Sequence, residues 1–159
     1  MSYRVGTGFD VHPFVAGKRC VLGGIEIPHD RGPGGHSDGD AVLHAVTDAV
    51  LGAAGLDDIG TLFPDTDVRW KDADSRELLR LAMAQVRSVG YRVVNADVVL
   101  VTDAPRIAPH REAMRAAIAG LLGVETTCVN VKGKTTEGLG ALADGAGVAV
   151  QAVCLLELA

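Results

Sequence analysis

Apolar side chains recur along this chain with two different periods, and the switches between them predict most of its elements. Residues 3–11 read as an opening strand interrupted by Gly6 and Gly8. Cys20-Val-Leu22 and Ile25-Glu-Ile27, separated by Gly23-Gly24, form a short hairpin. Residues 29–35, rich in glycine, are a loop. From Asp40 the positions Ala41, Leu43, Val46, Val50 and Leu51 follow helical spacing until Gly55 stops it. Residues 57–71 show no period and read as a loop. Asp74-Ser75 caps a second helix running to Val89 and closed by Gly90. Residues 91–101 are strand-like, 105–109 turn the chain, and 110–122 form a third helix ended by Gly123. Residues 129–132 and 148–158 complete the strands.

The last strand is apolar on both faces. Val148, Val150, Ala152, Cys154 and Leu156 lie on one side, and Ala149, Val153 and Leu155 on the other, broken mainly by Gln151. A half-solvated strand alternates instead. A helix layer covers one face only, so the second face points to another subunit.

Composition adds exclusions. With 159 residues, 48% apolar and 22% charged, the chain can pack a core, and no linker or repeat divides it. One domain over residues 1–159 is expected. Aromatic content of 4% makes that core aliphatic. A net charge of −5 without a Lys/Arg cluster argues against nucleic acid or acidic membranes as partners. Cys20, Cys128 and Cys154 lie far apart, without zinc-finger or disulfide spacing. No apolar run is long enough to span a bilayer and no signal-peptide pattern opens the chain, so the expected location is cytoplasmic.

Three segments carry candidate chemistry. In Gly6-Thr-Gly-Phe-Asp10-Val-His12 an acid and an imidazole stand two apart on a strand, share a face, and can converge on one ion. The glycines make no dinucleotide motif, because Val11 holds the third glycine position. In His36-Ser-Asp-Gly-Asp40, followed by His44 and Asp48, residues 40, 44 and 48 form one helical stripe of Asp and His among apolar neighbours. That pattern suits a metal ligand flanked by orienting carboxylates. One Asp with two His makes a catalytic zinc set with a fourth position open to a substrate oxygen. Lys132-Gly-Lys134-Thr135-Thr136-Glu137-Gly-Leu-Gly140 is not a Walker A loop, since Cys128 stands where glycine is required. Its N–H groups, hydroxyls and lysines can still bind phosphate, and Glu137 can hold a hard cation, although a surface turn would look similar.

The blocks GTGFDVHPF, GHSDGDAVLHAVTDAVLGAAGL, DIGTLFPDTD, ADSRELL, DAPRIAPHR and KGKTTEGLG occur in one order along the whole chain. Together they resemble the 2-C-methyl-D-erythritol 2,4-cyclodiphosphate synthase family. The resemblance implies conversion of 4-diphosphocytidyl-2-C-methyl-D-erythritol 2-phosphate into the cyclic diphosphate with release of CMP, on the non-mevalonate route to isoprenoids. The substrate's own 2-phosphate attacks the β-phosphorus, so no protein nucleophile is required. By the same resemblance Zn²⁺ sits on Asp10, His12 and His44, and Mg²⁺ or Mn²⁺ on Glu137. His36 and Thr135 match positions that stabilise the transition state, and the Ser37 backbone matches a phosphate contact. Asp48, Asp58, Ile59 and Gly60, with the loop Phe63, Pro64, Asp65, Thr66 and Asp67, match the methylerythritol site. Thr102, Asp103, Ala104, Pro105, Arg106, Ile107 and Ala108 match the cytosine pocket, with Lys134 and Thr136 near the nucleotide phosphates.

The implied fold is α/β (α+β layered), a mixed four-stranded sheet with helices on one face. Three such sheets pack around a trimer axis, with sites between subunits. Departures from the family pattern are Asp57 for Gly, Arg106 for Lys, and Ala141 and Asp144 where Phe and Arg are common. Two other classes stay open at this level: a zinc phosphodiesterase that activates water, and a noncatalytic nucleotide-binding trimer.

Overall fold

The structure, a computed structural model, describes residues 2–159, and capping groups set both ends of its first long helix. Helix α1, Ala41–Ala54, starts at Asp40, whose side chain accepts the N–H groups of Val42 and Leu43. It closes at Gly55, which takes the left-handed φ of 75° that favours glycine. Asp40 also accepts the N–H groups of Gly23 and Gly24 at 2.8 and 2.7 Å. These glycines join strands β2, Cys20–Leu22, and β3, Ile25–Ile27. One fully buried carboxylate therefore holds four backbone donors and pins the hairpin to the start of α1.

This corrects the expectation that Asp40 orients a metal ligand: both of its oxygens are committed to backbone. Asp40→Ala is expected to lose the cap and to strand buried N–H groups, costing about 3–5 kcal/mol. Urea unfolding measures this loss, with Asp40→Asn, which keeps one acceptor oxygen, falling between the two.

The main sheet runs β4-β1-β7-β5-β6. Its strands are β1, Tyr3–Ala16; β4, Arg31–Pro33; β5, Tyr91–Val101; β6, Val129–Lys134; and β7, Gly147–Leu158. Only β5 and β6 pair in parallel, so the sheet is mixed. It has five strands rather than four. The added strand, β4, lies within the segment read as a loop and pairs with Phe14–Ala16, because β1 continues past residue 11. Three residues containing Gly and Pro cannot display an alternating pattern. Their glycine is needed for fit, since a Cβ on Gly32 would lie 2.0 Å from the Arg19 carbonyl oxygen.

The segment 57–71 is also more regular than expected. It contains α2, Ile59–Leu62, capped by Asp58, and a single 3₁₀ turn, Val68–Trp70, capped by Asp67. Both are too short for hydrophobic periodicity to reveal.

The remaining long helices are α3, Ser75–Ser88, and α4, Arg111–Leu122. The helix-facing side of the sheet is aliphatic and closed: Val98, Leu100, Val131, Val148, Ala152 and Leu156 are buried. The opposite face is open in the single chain. Val5 and Phe9 on β1 are 69% and 65% exposed, with Val11 and Val153 beside them. Cys20 and Cys154 are buried, which pushes their thiols up to about 11 and about 12, and neither carries chemistry. Among the described residues no helix is long and apolar enough to cross a membrane.

Candidate functional site

Asp10 and His12 stand on β1 in the same alternation as Gly6 and Gly8, the residues against which α1 packs. They therefore point toward α1, where His44 sits one turn inside the helix. Asp10 Oδ2 lies 2.8 Å from His12 Nε2 and 3.0 Å from His44 Nδ1, and the two ring nitrogens are 3.4 Å apart. One ligand atom from each residue thus falls within 4.8 Å of the others.

The outer nitrogens of both rings are engaged elsewhere. His12 bonds the Gly34 backbone, and His44 Nε2 meets Ser75 Oγ at 2.9 Å and Ser37 Oγ at 3.1 Å. Three potential ligand atoms, one from each residue, are left facing a common point. Without a cation, a shared proton has to offset their repulsion. Burial lowers the His12 imidazole, but the hydrogen bond and charge of Asp10 push it up overall. Burial likewise raises the Asp10 carboxyl, but His12 and His44 hold it well below the usual carboxylate range. A divalent metal satisfies all three atoms at once, and an Asp-His-His set at these spacings fits one.

The Asp10, His12 and His44 cluster opens into a cavity of about 180 Å³. Of the residues expected around it, His36, Ser37, Ile59, Gly60, Phe63 and Asp65 line this space. Asp48 acts one step back: it accepts the Ile59 N–H at 2.8 Å and so positions α2 at the cavity edge. Burial, with Asp58 nearby, raises its carboxyl despite that bond. Asp58 caps α2 through Thr61. Pro64, Thr66 and Asp67 do not line the cavity; Asp67 caps the next turn and pairs with Arg69. Trp70, which sequence reasoning passed over, does line it, edge-on to Phe63 at a centroid distance of 5.0 Å.

A second cavity of about 230 Å³ opens at the ends of β5 and β6. Thr102, Asp103, Pro105, Arg106, Ile107 and Ala108 line one side, facing Lys134 and Thr135, and Arg111 adds a cation that the sequence reading missed. Ala104 and Thr136 are not part of its wall. Thr136 instead serves the loop: Asp103 accepts its N–H and hydroxyl, both at 2.7 Å, and the N–H of Asp144 at 2.8 Å. These bonds hold the Asp103 carboxyl below its ordinary value. Asp144, with φ of 58°, is thereby anchored through its backbone. Thr135 donates its hydroxyl to Glu137, which is also in the left-handed region.

The two cavities share no wall residue. Strands β7 and β5 separate β1 from β6, a lateral distance of about 14 Å. Within one chain, Glu137 and Thr135 therefore do not join the Asp10 cluster.

The chain is similar to known proteins over nearly its whole length. A family model described as "YgbB family" matches residues 3–157. A Chromobacterium violaceum protein named 2-C-methyl-D-erythritol 2,4-cyclodiphosphate synthase is 56% identical over 157 residues, covering 99% of each chain. A solved structure of 2C-methyl-D-erythritol-2,4-cyclodiphosphate synthase in its CDP-bound form is 42% identical. It aligns with a TM-score of 0.89 over 97% of this chain and all of its own. The bifunctional IspDF of Campylobacter jejuni aligns with a TM-score of 0.95 at 40% identity. That match covers 99% of this chain and 43% of the longer one. The chain belongs to the YgbB family, that of the 2-C-methyl-D-erythritol 2,4-cyclodiphosphate synthases.

Proposed function

We propose that this protein converts 4-diphosphocytidyl-2-C-methyl-D-erythritol 2-phosphate into 2-C-methyl-D-erythritol 2,4-cyclodiphosphate and CMP. An oxygen of the substrate's 2-phosphate forms a bond to the β-phosphorus. The bond from that phosphorus to the α,β-bridging oxygen breaks, and CMP leaves with the oxygen. The observation that carries this reading is the convergence of Asp10, His12 and His44 at the mouth of a cavity, in a chain that matches the synthases over its full length.

Phosphoryl transfer needs alignment and charge neutralisation more than covalent help from the protein. Zn²⁺ on Asp10, His12 and His44 would supply Lewis-acid stabilisation of charge on a β-phosphate oxygen. His36 and Ser37 border the same cavity and are placed to donate to phosphate. Asp48 and Asp58 shape the floor for the methylerythritol hydroxyls through α2. In the other cavity, backbone groups of residues 102–108 read the cytosine edge. Lys134, with Arg111, holds the nucleotide phosphates there, and Thr135 and Glu137 serve the phosphates and an Mg²⁺ or Mn²⁺.

The two half-sites lie apart within a chain, which supports a working site formed between neighbouring subunits; the family resemblance implies that these make a homotrimer. The apolar open face of β1 and β7 is the surface that this assembly would bury. Hybrid trimers test the arrangement. Mixing unfolded His44→Ala with a variant whose second cavity is blocked within residues 105–108 and refolding should restore part of the activity. No recovery, with hybrids shown to be present, would place both halves in one chain.

The activity is read by ³¹P NMR after incubating substrate with the protein, Zn²⁺ and Mg²⁺. Cyclic diphosphate and CMP are the expected products. A linear diphosphate would instead identify a phosphodiesterase, and binding of CDP without turnover a nucleotide-binding trimer.

A further inference from the structure

We infer that Ser75, locked by Asp38, is a positioning residue that sets the tautomer and angle of the His44 ring and thereby the affinity of the metal centre. The inference rests on reading Asp10, His12 and His44 as that centre.

The geometry is a chain of three segments that are far apart in sequence. Asp38 lies in the loop before α1, Ser75 is the first residue of α3, and His44 is within α1. The Asp38 carboxylate takes the Ser75 hydroxyl proton on Oδ1 at 2.5 Å and the Ser75 N–H on Oδ2 at 3.1 Å. It also accepts the Asp40 N–H at 3.1 Å, which ties it to the start of α1. A serine hydroxyl has a single proton, and Asp38 receives it. Toward His44, Ser75 Oγ can only accept. The contact of 2.9 Å therefore requires His44 Nε2 to carry its proton, which leaves Nδ1 bare, and Nδ1 is the atom that faces Asp10 and His12.

Ser37 does not impose this direction by itself. Its oxygen, 3.1 Å from the same nitrogen, accepts the Gly39 N–H, and its own proton has no fixed acceptor, so it can either donate or accept. Ser75 is 1% exposed, so its hydroxyl is not shared with bulk solvent. Helix capping explains only the Ser75 N–H bond; with Asp74 capping α3 through the Arg76 N–H, the Ser75 hydroxyl bond to Asp38 is not needed for the cap. Orienting partners of this kind typically change metal affinity by about 10- to 100-fold when removed.

The test compares the wild-type protein with Ser75→Ala and Ser75→Thr. Zinc affinity is measured by competition with a chromogenic chelator, and the metal-free proteins are melted alongside. Ser75→Ala should bind zinc about 10- to 100-fold more weakly, while the metal-free protein melts within a few degrees of wild type. Ser75→Thr, which keeps the hydroxyl, should recover most of the affinity. In the metal-free wild type, ¹⁵N NMR of the His44 ring, at a pH where it is neutral, should show the proton on Nε2.

Unchanged zinc affinity in Ser75→Ala overturns the inference, as does a proton found on Nδ1 of His44 in the wild type. A loss of affinity matched by an equal loss of stability in the metal-free protein also overturns it. The absolute zinc affinity of the wild type tests the centre itself. The difference between variants tests only the clamp.

Discussion

His44→Ala is expected to lose most bound zinc and nearly all turnover while keeping its fold. The substitution removes one of the three residues of the proposed zinc site, and two ligands do not hold a catalytic zinc. Lewis-acid stabilisation of a phosphoryl oxygen supplies several kcal/mol, so its loss slows the reaction by roughly a thousandfold or more. The helix should tolerate the change, because Ala is the best helix former and α1 is capped independently by Asp40 and Gly55. Metal analysis and single-turnover rates on the folded variant provide the check. Full zinc occupancy in folded His44→Ala would remove His44 from the ligand set.

Gly8→Ala should produce the largest loss of stability for the smallest chemical change. A Cβ at Gly8 would sit 1.9 Å from the Ala45 carbonyl oxygen, 2.8 Å from its carbon and 2.9 Å from the Ala49 nitrogen. All three are backbone atoms of α1, so no side chain can turn aside and the helix itself has to move. Overpacking that flexible neighbours absorb costs about 1–3 kcal/mol; here the cost should reach or exceed the top of that range. Moving α1 also carries His44 away from Asp10 and His12, so zinc affinity should fall with stability. Gly52→Ala in the same helix is the control: nothing lies within 4 Å of its added Cβ. Helix propensity alone should make that change neutral or stabilising by up to about 1 kcal/mol. Chemical unfolding of the two variants side by side decides the matter. Equal stability of Gly8→Ala and wild type would mean that the contact between β1 and α1 is looser than these distances state.

Much of this molecule was legible residue by residue. Asp40 and Gly55 bracket α1, and Asp74 starts α3, because capping is local chemistry that the side chain and the next few N–H groups settle among themselves. Placing Asp10 and His12 on one face followed from strand geometry alone. The doubly apolar β7 could be read as a surface awaiting partners on both sides, and one of those sides is the helix layer.

Other features left no local trace. Asp40 and His44 are spaced like a helical stripe, yet the acid faces a hairpin and the imidazole faces Asp10 and His12, because Asp40 is the N-cap and its backbone is not helical. Asp38 and Ser75 sat in view within the HSDGD and ADS blocks but had no readable role, since what joins them is a contact across 37 residues of chain. The same holds for Trp70 and Arg111, ordinary surface residue types until the fold brings each to a cavity wall.

Sequence alone located α1, α3, α4, β5 and β7 to within a residue or so, placed the acid and imidazole together on β1, and supplied the residue types of a metal set. Each of these depends on interactions spanning a few residues, whose geometry the backbone period already dictates. Long-range packing set the strand order β4-β1-β7-β5-β6 and brought α1 onto two glycines. It alone assigned Asp40 to the backbone and separated the metal cavity from the one at the ends of β5 and β6. Those outcomes depend on which distant surfaces pack together, and packing is settled by the fit of all the buried side chains at once.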